Sequence, residues 1–267
     1  MNRYADTFGA LKKRGEIAFI PFAVAGDPDI ETSEAVFKTY SDNGADILEI
    51  GYPFSDPIAD GPVNQRAAVR ALESGLTHAN FFSLMKRIRR YTDIPMGILA
   101  YANSLYHLGY EQFCSRAADA GIDSILVADM PPEEAGEFIP AAKNNGLQTV
   151  FIVSELTSKA RMKSICARVS GFVYVVSRLG PTGVQKDVNT LLAGMIDDLH
   201  RVTGRPLCVG FGLSTPMHIG RVRKAGADGA IVGSALVKII ESHKSDRKKM
   251  LKILAENVRA YKKATVE

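Results

Sequence analysis

Residues 45–62 read ADILEIGYPFSDPIADGP, a short apolar run followed by a loop rich in proline and glycine. The apolar run predicts a buried β-strand. Glu49 lies near the end of that strand, and the loop adds two more carboxylates, Asp56 and Asp60. A charged group inside an apolar strand is unfavourable unless it is paired or used. We therefore expect a functional site where this strand ends.

Two carboxyl groups in different surroundings are typical of acid–base chemistry. Burial would raise the pKa of Glu49 toward neutrality, where one group can both donate and accept a proton. Asp60 lies on the more solvated loop and would serve a separate task. The alternative is structural, because a strand glutamate can also face outward or pair with a lysine. The loop favours the functional interpretation, since connections after strands are where binding residues concentrate.

Length and composition suit one large α/β domain spanning residues 1–267, because 267 residues with 46% hydrophobic content can build one barrel core. Charged residues make up 23% of the chain and the net charge is only +4. That charge is no nucleic-acid signature. The polar N-terminus lacks a signal-peptide core, and no apolar stretch is long enough to span a membrane.

The cysteines and histidines argue against disulfides and metals. Three cysteines, far apart and odd in number, suit reduced thiols in a cytoplasmic protein. The five histidines show no metal-ligand spacing, so we expect no metal site.

Short apolar runs alternate with longer helical patterns. The predicted strands are Ile17–Ala25, Ala45–Ile50, Met96–Tyr101, Ser124–Ala128, Gln148–Val153, Phe172–Ser177, Leu207–Phe211 and Gly229–Val232. The predicted helices include Arg3–Lys13, Ile30–Asp42, Tyr110–Ala120, Glu133–Asn144, Ser158–Val169, Val188–Val202, Pro216–Lys224 and Lys248–Lys262.

Eight strand–helix units predict a single (β/α)8 TIM barrel with an extra N-terminal helix closing its bottom. The alternative is an open doubly wound sheet, but no Gly-x-Gly-x-x-Gly fingerprint follows the first strand. Several helices end at glycine, and the tetrapeptides NGAD (43–46), AGID (120–123) and AGAD (225–228) echo one another. The echo indicates a repeated helix–glycine–strand unit.

Glycine features follow the last three predicted strands: PTG at 181–183, GFG at 210–212 and GS at 233–234. Glycine lets backbone amides approach a ligand, and amides at a helix N-terminus favour anions. Barrels often bind phosphate with these loops, so the pattern predicts a phosphate site. The alternative for Ser234 is a helix N-cap only.

The chain resembles the α-subunit family of tryptophan synthase. The resemblance lies in residues 48–62, in ADMP (128–131), in SRLGPTG (177–183), in GFG (210–212) and in GSA (233–235), all in the family's order. It implies a TIM barrel that cleaves indole-3-glycerol phosphate to indole and glyceraldehyde 3-phosphate without cofactor or metal. It also implies an α2β2 complex with a β subunit, which carries pyridoxal phosphate and consumes the indole.

The resemblance also implies roles for individual residues. Glu49 matches the principal acid/base, Asp60 the acceptor of the indole N–H, and Tyr174 a tyrosine at the glycerol end of the pocket. The phosphate-binding positions are Gly183, Gly212, Gly233 and Ser234. The pocket positions are Phe22, Leu99, Tyr101, Leu126, Ile152, Thr182, Phe211 and Ile231. The partner-facing positions are Asp56, Asn103, Met130 and Pro131.

Four features depart from the family pattern. Tyr52 replaces a small aliphatic residue, Asn64 an apolar one and Pro181 a valine, while residues 154–156 replace a Pro/Thr-rich turn. They bear on the loops at 53–62 and 179–189, which the family closes over its substrate. They leave two alternatives beside a competent lyase subunit. One is a weakly catalytic subunit that activates its β partner, and the other is a free-standing indole producer.

Overall fold

A closed barrel of parallel strands forms the centre of the fold. The protein is described here by a computed structural model covering residues 2–176, 185–210 and 212–266. Within these residues each strand pairs with its neighbours in sequence, and the last pairs with the first. The strands are β1 (Ala18–Val24), β2 (Leu48–Gly51), β3 (Met96–Ala100), β4 (Ser124–Val127), β5 (Gln148–Ser154), β6 (Val173–Val176), β7 (Leu207–Gly210) and β8 (Gly229–Val232). The predicted (β/α)8 barrel is confirmed, and the open sheet is excluded.

Helices surround the barrel. In the described ranges they are α1 (Arg3–Lys13), α2 (Ile30–Asp42), α3 (Pro62–Glu73), α4 (His78–Tyr91), α5 (Ala102–Leu108), α6 (Tyr110–Asp119), α7 (Phe138–Asn144), α8 (Lys159–Cys166), α9 (Gln185–His200), α10 (Pro216–Lys224), α11 (Ser234–His243) and α12 (Arg247–Lys263). None of these helices is long and apolar enough to cross a membrane.

The predicted start of one helix was wrong. The sequence pattern gave Glu133–Asn144, whereas α7 begins at Phe138. Residues 131–137 instead form turns, in which the amides of Glu134 and Ala135 donate to the carbonyls of Pro131 and Pro132. Two consecutive prolines fix the backbone and supply no amide donors, so they favour turns at this point.

α1 closes the N-terminal end of the barrel, as predicted. The buried Tyr4 hydroxyl forms a hydrogen bond of 2.7 Å with the Ser124 hydroxyl at the start of β4. Leu11 is also buried beneath the strands, and Arg3 pairs with Asp123 at 2.9 Å. With this end filled, a ligand has to enter from the carboxyl ends of the strands.

The repeated tetrapeptides have a common structural task. In each, the closing aspartate accepts a hydrogen bond from the backbone amide of the preceding strand: Asp46 from Phe19, Asp123 from Met96 and Asp228 from Leu207, at 2.7–2.9 Å. Each glycine of the repeats has a positive φ, between 80° and 109°, and ends its helix. The repeat thus joins helix termination to strand pairing at the bottom of the barrel.

Candidate active site

A cavity of about 330 Å³ opens at the carboxyl ends of the strands, opposite α1. This volume suits a small organic ligand. Most predicted site residues within the described ranges line it: Phe22, Glu49, Asp60, Leu99, Tyr101, Leu126, Ile152, Tyr174, Gly212, Ile231, Gly233 and Ser234. Thr182, Gly183 and Phe211 lie outside the described residues.

Glu49 faces the barrel interior. Its neighbours Leu48 and Ile50 pack into the core between the strands and the helices, so alternation turns Glu49 the other way. It is paired across the sheet with Phe22 and Gly97 and is only 6% exposed. No hydrogen bond joins its carboxyl group to any residue in the described ranges. The structural alternative, in which Glu49 faces outward or pairs with a lysine, is therefore wrong.

Burial raises the pKa of Glu49 to about 8, and the negative charge of Asp60 adds to the rise. A carboxyl group with such a pKa is largely protonated at neutral pH, and it can lose its proton and recover it during a reaction. This is the property that the sequence predicted from the position of Glu49 in an apolar strand.

Asp60 is held by two side-chain donors. The Tyr101 hydroxyl donates to Oδ2 at 2.7 Å, and the Asn64 amide donates to Oδ1 at 3.0 Å. The Gln65 side chain also donates to the Asp60 backbone carbonyl at 2.9 Å. Asp60 is therefore an acceptor fixed by the residue that follows β3 and by a residue of α3, although it lies at the end of a loop.

Tyr174 lies beside the floor of the cavity. It is paired with Cys208 across the sheet, and its ring covers Gly210 so closely that a Cβ there would lie 2.3 Å from the hydroxyl. Burial raises the pKa of Tyr174 well above its usual value, and the charges of Glu49 and Asp60 raise it further. The phenol therefore remains a hydrogen-bond donor at all ordinary pH values.

The far end of the cavity is built from backbone. Gly212 has a φ of +77°, which favours glycine, and Gly233 caps the N-terminus of α11. A Cβ on Gly233 would lie 3.4 Å from the Phe22 ring. Ser234 is exposed and is the first residue of α11, and none of the described side chains caps this helix. The alternative that Ser234 serves as the N-cap is wrong, because Gly233 holds that position, and no bond to a described residue occupies its hydroxyl.

The partner-facing positions lie around the mouth and not in the cavity. Asp56 and Asn103 are exposed, on the loop after β2 and on α5. Met130 is buried, and with Pro131 it lines a neighbouring cavity of about 280 Å³. Their contact with a partner stays a prediction.

Sequence reasoning missed several residues of the cavity wall: Ala59, Gly61, Asn64, Ala128, Val176 and Leu213. Asn64 could have been found, because it lies four residues after Asp60 and opens a helix, which brings the two side chains together. The small and apolar members carry no comparable signal. In the described ranges, no group of three or more His, Cys, Asp or Glu residues could hold a metal ion.

The fold and cavity are those of a (β/α)8-barrel enzyme whose cavity is lined by carboxyl groups. Residues 8–266 match the family model described as tryptophan synthase alpha chain. A relative of that name from Methanothermobacter thermautotrophicus is 45% identical over 253 residues, covering 95% of this chain and 93% of its own. This chain belongs to the tryptophan synthase alpha chain family.

Solved structures of tryptophan synthase alpha chains have the same fold. A tryptophan synthase subunit alpha from Legionella pneumophila superposes with a TM-score of 0.90 at 31% identity, covering 99% of this chain and 98% of its own. A chain of the tryptophan synthase α2β2 complex from Pyrococcus furiosus has a TM-score of 0.84 at 36% identity. The match covers 93% of this chain and 98% of the Pyrococcus chain.

Proposed function

We propose that this chain is the lyase subunit that cleaves indole-3-glycerol phosphate to indole and glyceraldehyde 3-phosphate. One observation carries the proposal: a buried glutamate with a pKa of about 8 faces the same cavity as an aspartate held by two donors. The cavity is apolar between them and ends at the N-terminus of α11. These features match a substrate with an aromatic ring, an N–H donor and an anionic tail.

The reaction follows from two proton transfers. Protonated Glu49 gives its proton to C3 of the indole ring, and the bond from C3 to the glycerol carbon then breaks. The glycerol hydroxyl loses its proton to the ionised Glu49 and becomes the aldehyde, which restores the protonated acid. The Asp60 carboxylate accepts a hydrogen bond from the indole N–H and stabilises the positive charge that develops on the ring. This electrostatic effect is strongest in a dry site.

At the other end of the substrate, Gly212, Gly233 and Ser234 would hold the phosphate, because amides at a helix N-terminus favour anions. The Tyr174 hydroxyl would donate a hydrogen bond to the glycerol portion. The apolar side chains between the two ends would exclude water from the ring.

Two departures from the family pattern leave this machinery intact. Tyr52 is buried outside the barrel, where its ring packs on Phe81 at 4.4 Å and its hydroxyl contacts His78. Asn64 donates to Asp60 and adds to the site. Both observations favour the lyase over the weakly catalytic regulatory subunit.

We also infer that the chain works with a β subunit that carries pyridoxal phosphate. The relative from Pyrococcus furiosus is a chain of an α2β2 complex. The loops after β2 and β5 and helix α5 present large exposed apolar side chains, Ile58, Tyr106 and Leu156, at 73–85% exposure. All three lie on segments that follow barrel strands, and large exposed apolar side chains there support an interaction surface. Cys114, Cys166 and Cys208 are free and buried, which supports a reducing, cytoplasmic location.

Steady-state release of indole from indole-3-glycerol phosphate tests the proposal, measured with the pure chain and again with β subunit added. We expect slow release alone and faster release with the partner, and an at least 100-fold loss in Glu49→Gln. Glu256→Gln, on the exposed surface of α12, is the matched control and should keep full activity. Full activity in Glu49→Gln would reject the acid/base assignment, and no rise with the partner would favour the free-standing lyase.

A further inference from the structure

The Asp60 carboxylate takes one donor on each oxygen before any ligand is bound. Tyr101 reaches Oδ2 from the end of β3, and Asn64 reaches Oδ1 from the first turn of α3. A carboxylate held by one donor can still rotate about its last side-chain bond, whereas two donors on different elements fix its plane. Asn64 supplies the second of these two donors.

Asn64 carries an unfavourable feature that an apolar residue would avoid. Its Oδ1 atom is buried and has no hydrogen-bond partner in the described part of the chain. The opposite orientation of the amide would place Oδ1 against the negative Asp60 carboxylate, so the contact with Asp60 determines how the amide lies. A leucine of similar volume would lack the unpartnered atom, and also the donor to Asp60.

We propose that Asn64 is a positioning residue that holds Asp60 ready to accept the substrate's ring N–H. This inference rests on the proposed role of Asp60 in the lyase reaction. Asn64 touches Asp60 from its own helix, so it acts through Asp60 and does not itself transfer a proton. The interaction should matter most when the ring gains positive charge, and its loss should lower kcat more than it changes KM.

Asn64→Leu is the primary test, assayed by indole release with the β subunit present. We expect kcat to fall roughly tenfold and KM to change less than threefold, because a hydrogen bond to a charged group is lost. The melting temperature should stay level or rise, because the unpartnered Oδ1 disappears as well.

Asn80→Leu is the matched control. Asn80 is the third residue of α4, as Asn64 is of α3, but it is exposed and lies outside the cavity. It should keep the full rate.

A double-mutant cycle separates positioning from a general structural effect. In an Asp60→Asn background, adding Asn64→Leu should cost less than twofold in kcat, since the group it positions is already changed. The same tenfold loss in both backgrounds, an unchanged kcat in Asn64→Leu, or a parallel fall of rate and melting temperature would overturn the proposal. Full activity in Asp60→Asn alone would instead reject the proposed function of Asp60, which is a separate outcome.

Discussion

Replacing Glu49 with glutamine should stabilise the folded protein at neutral pH while removing the proposed proton donor. Glu49 is buried without a hydrogen bond to any described residue, so the folded state disfavours its charged form. Glutamine keeps the shape of the side chain and carries no charge. The variant therefore separates what Glu49 contributes to the reaction from what it costs the fold.

The magnitude follows from the pKa. A rise from 4.5 to about 8 disfavours the charged form, and each pH unit corresponds to about 1.36 kcal/mol. At pH 7 the wild type thus loses on the order of 3 kcal/mol relative to a neutral side chain. The glutamine amide retains part of the desolvation cost, so we expect a net gain of about 2 kcal/mol and a rise of roughly 4–8 °C in melting temperature.

The gain should depend on pH in a defined direction. Because the folded-state pKa lies above the unfolded value, the folded protein holds the Glu49 proton more tightly than the unfolded chain. Below pH 4.5 Glu49 is protonated in both states, so the variant should have no advantage there. Between pH 4.5 and about 8 the unfolded wild type releases the proton first, so the advantage of the variant should grow. Above that range it should be constant.

Thermal and urea unfolding followed by far-UV circular dichroism would measure this, because the chain has no tryptophan to serve as a fluorescence probe. Wild type, Glu49→Gln and the exposed control Glu256→Gln should be compared at pH 5, 6, 7 and 8. A variant that is less stable than the wild type at pH 7, or a difference that does not grow from pH 5 to pH 8, would refute the reasoning.

Three further predictions concern activity. If protonated Glu49 supplies the proton, kcat should fall as the pH rises through about 8, and a kcat that stays flat to pH 9.5 would contradict this. Gly210→Ala places a Cβ 2.3 Å from the Tyr174 hydroxyl and should lower kcat/KM at least tenfold, whereas Gly194→Ala on α9, with no atom near its Cβ, should keep the wild-type kcat/KM. Gly212→Ala strains a φ of +77° by about 1 kcal/mol and should raise KM about fivefold, with weaker inhibition by inorganic phosphate; an unchanged KM would place the phosphate elsewhere.

The sequence predicted the barrel because its signals were local. Each buried strand is a short apolar run, and each repeated unit ends a helix with glycine. The predicted ends of strands and helices were less accurate where tertiary contacts determine them. The second strand was expected from Ala45 but begins at Leu48, because Asp46 uses its carboxyl group to bond the Phe19 amide of the neighbouring strand. No local pattern contains that partner.

The candidate site also contains residues that the sequence predicted and residues that it did not. Glu49 and Asp60 could be predicted because charged groups beside an apolar strand are conspicuous. The donor from Tyr101 to Asp60 could not, since Tyr101 follows the next strand, 41 residues away. Asn64 was recognised only as a departure from a family pattern. Its position four residues after Asp60, in the first turn of a helix, was the available signal for their contact.

The two carboxyl groups differ in hydrogen bonding as much as in burial. Glu49 has no donor among the described residues, so none of them compensates its negative charge, and the group holds a proton that it can pass to a ring carbon. Asp60 has a donor on each oxygen, so its lone pairs are already oriented and a ring N–H can join them without rearrangement. Moving a donor from Asp60 to Glu49 would weaken both groups, because the acid would lose its proton more readily and the acceptor its fixed orientation. The separation of tasks therefore depends on where Tyr101 and Asn64 point, which is why a residue four positions from Asp60 matters to chemistry that it does not perform.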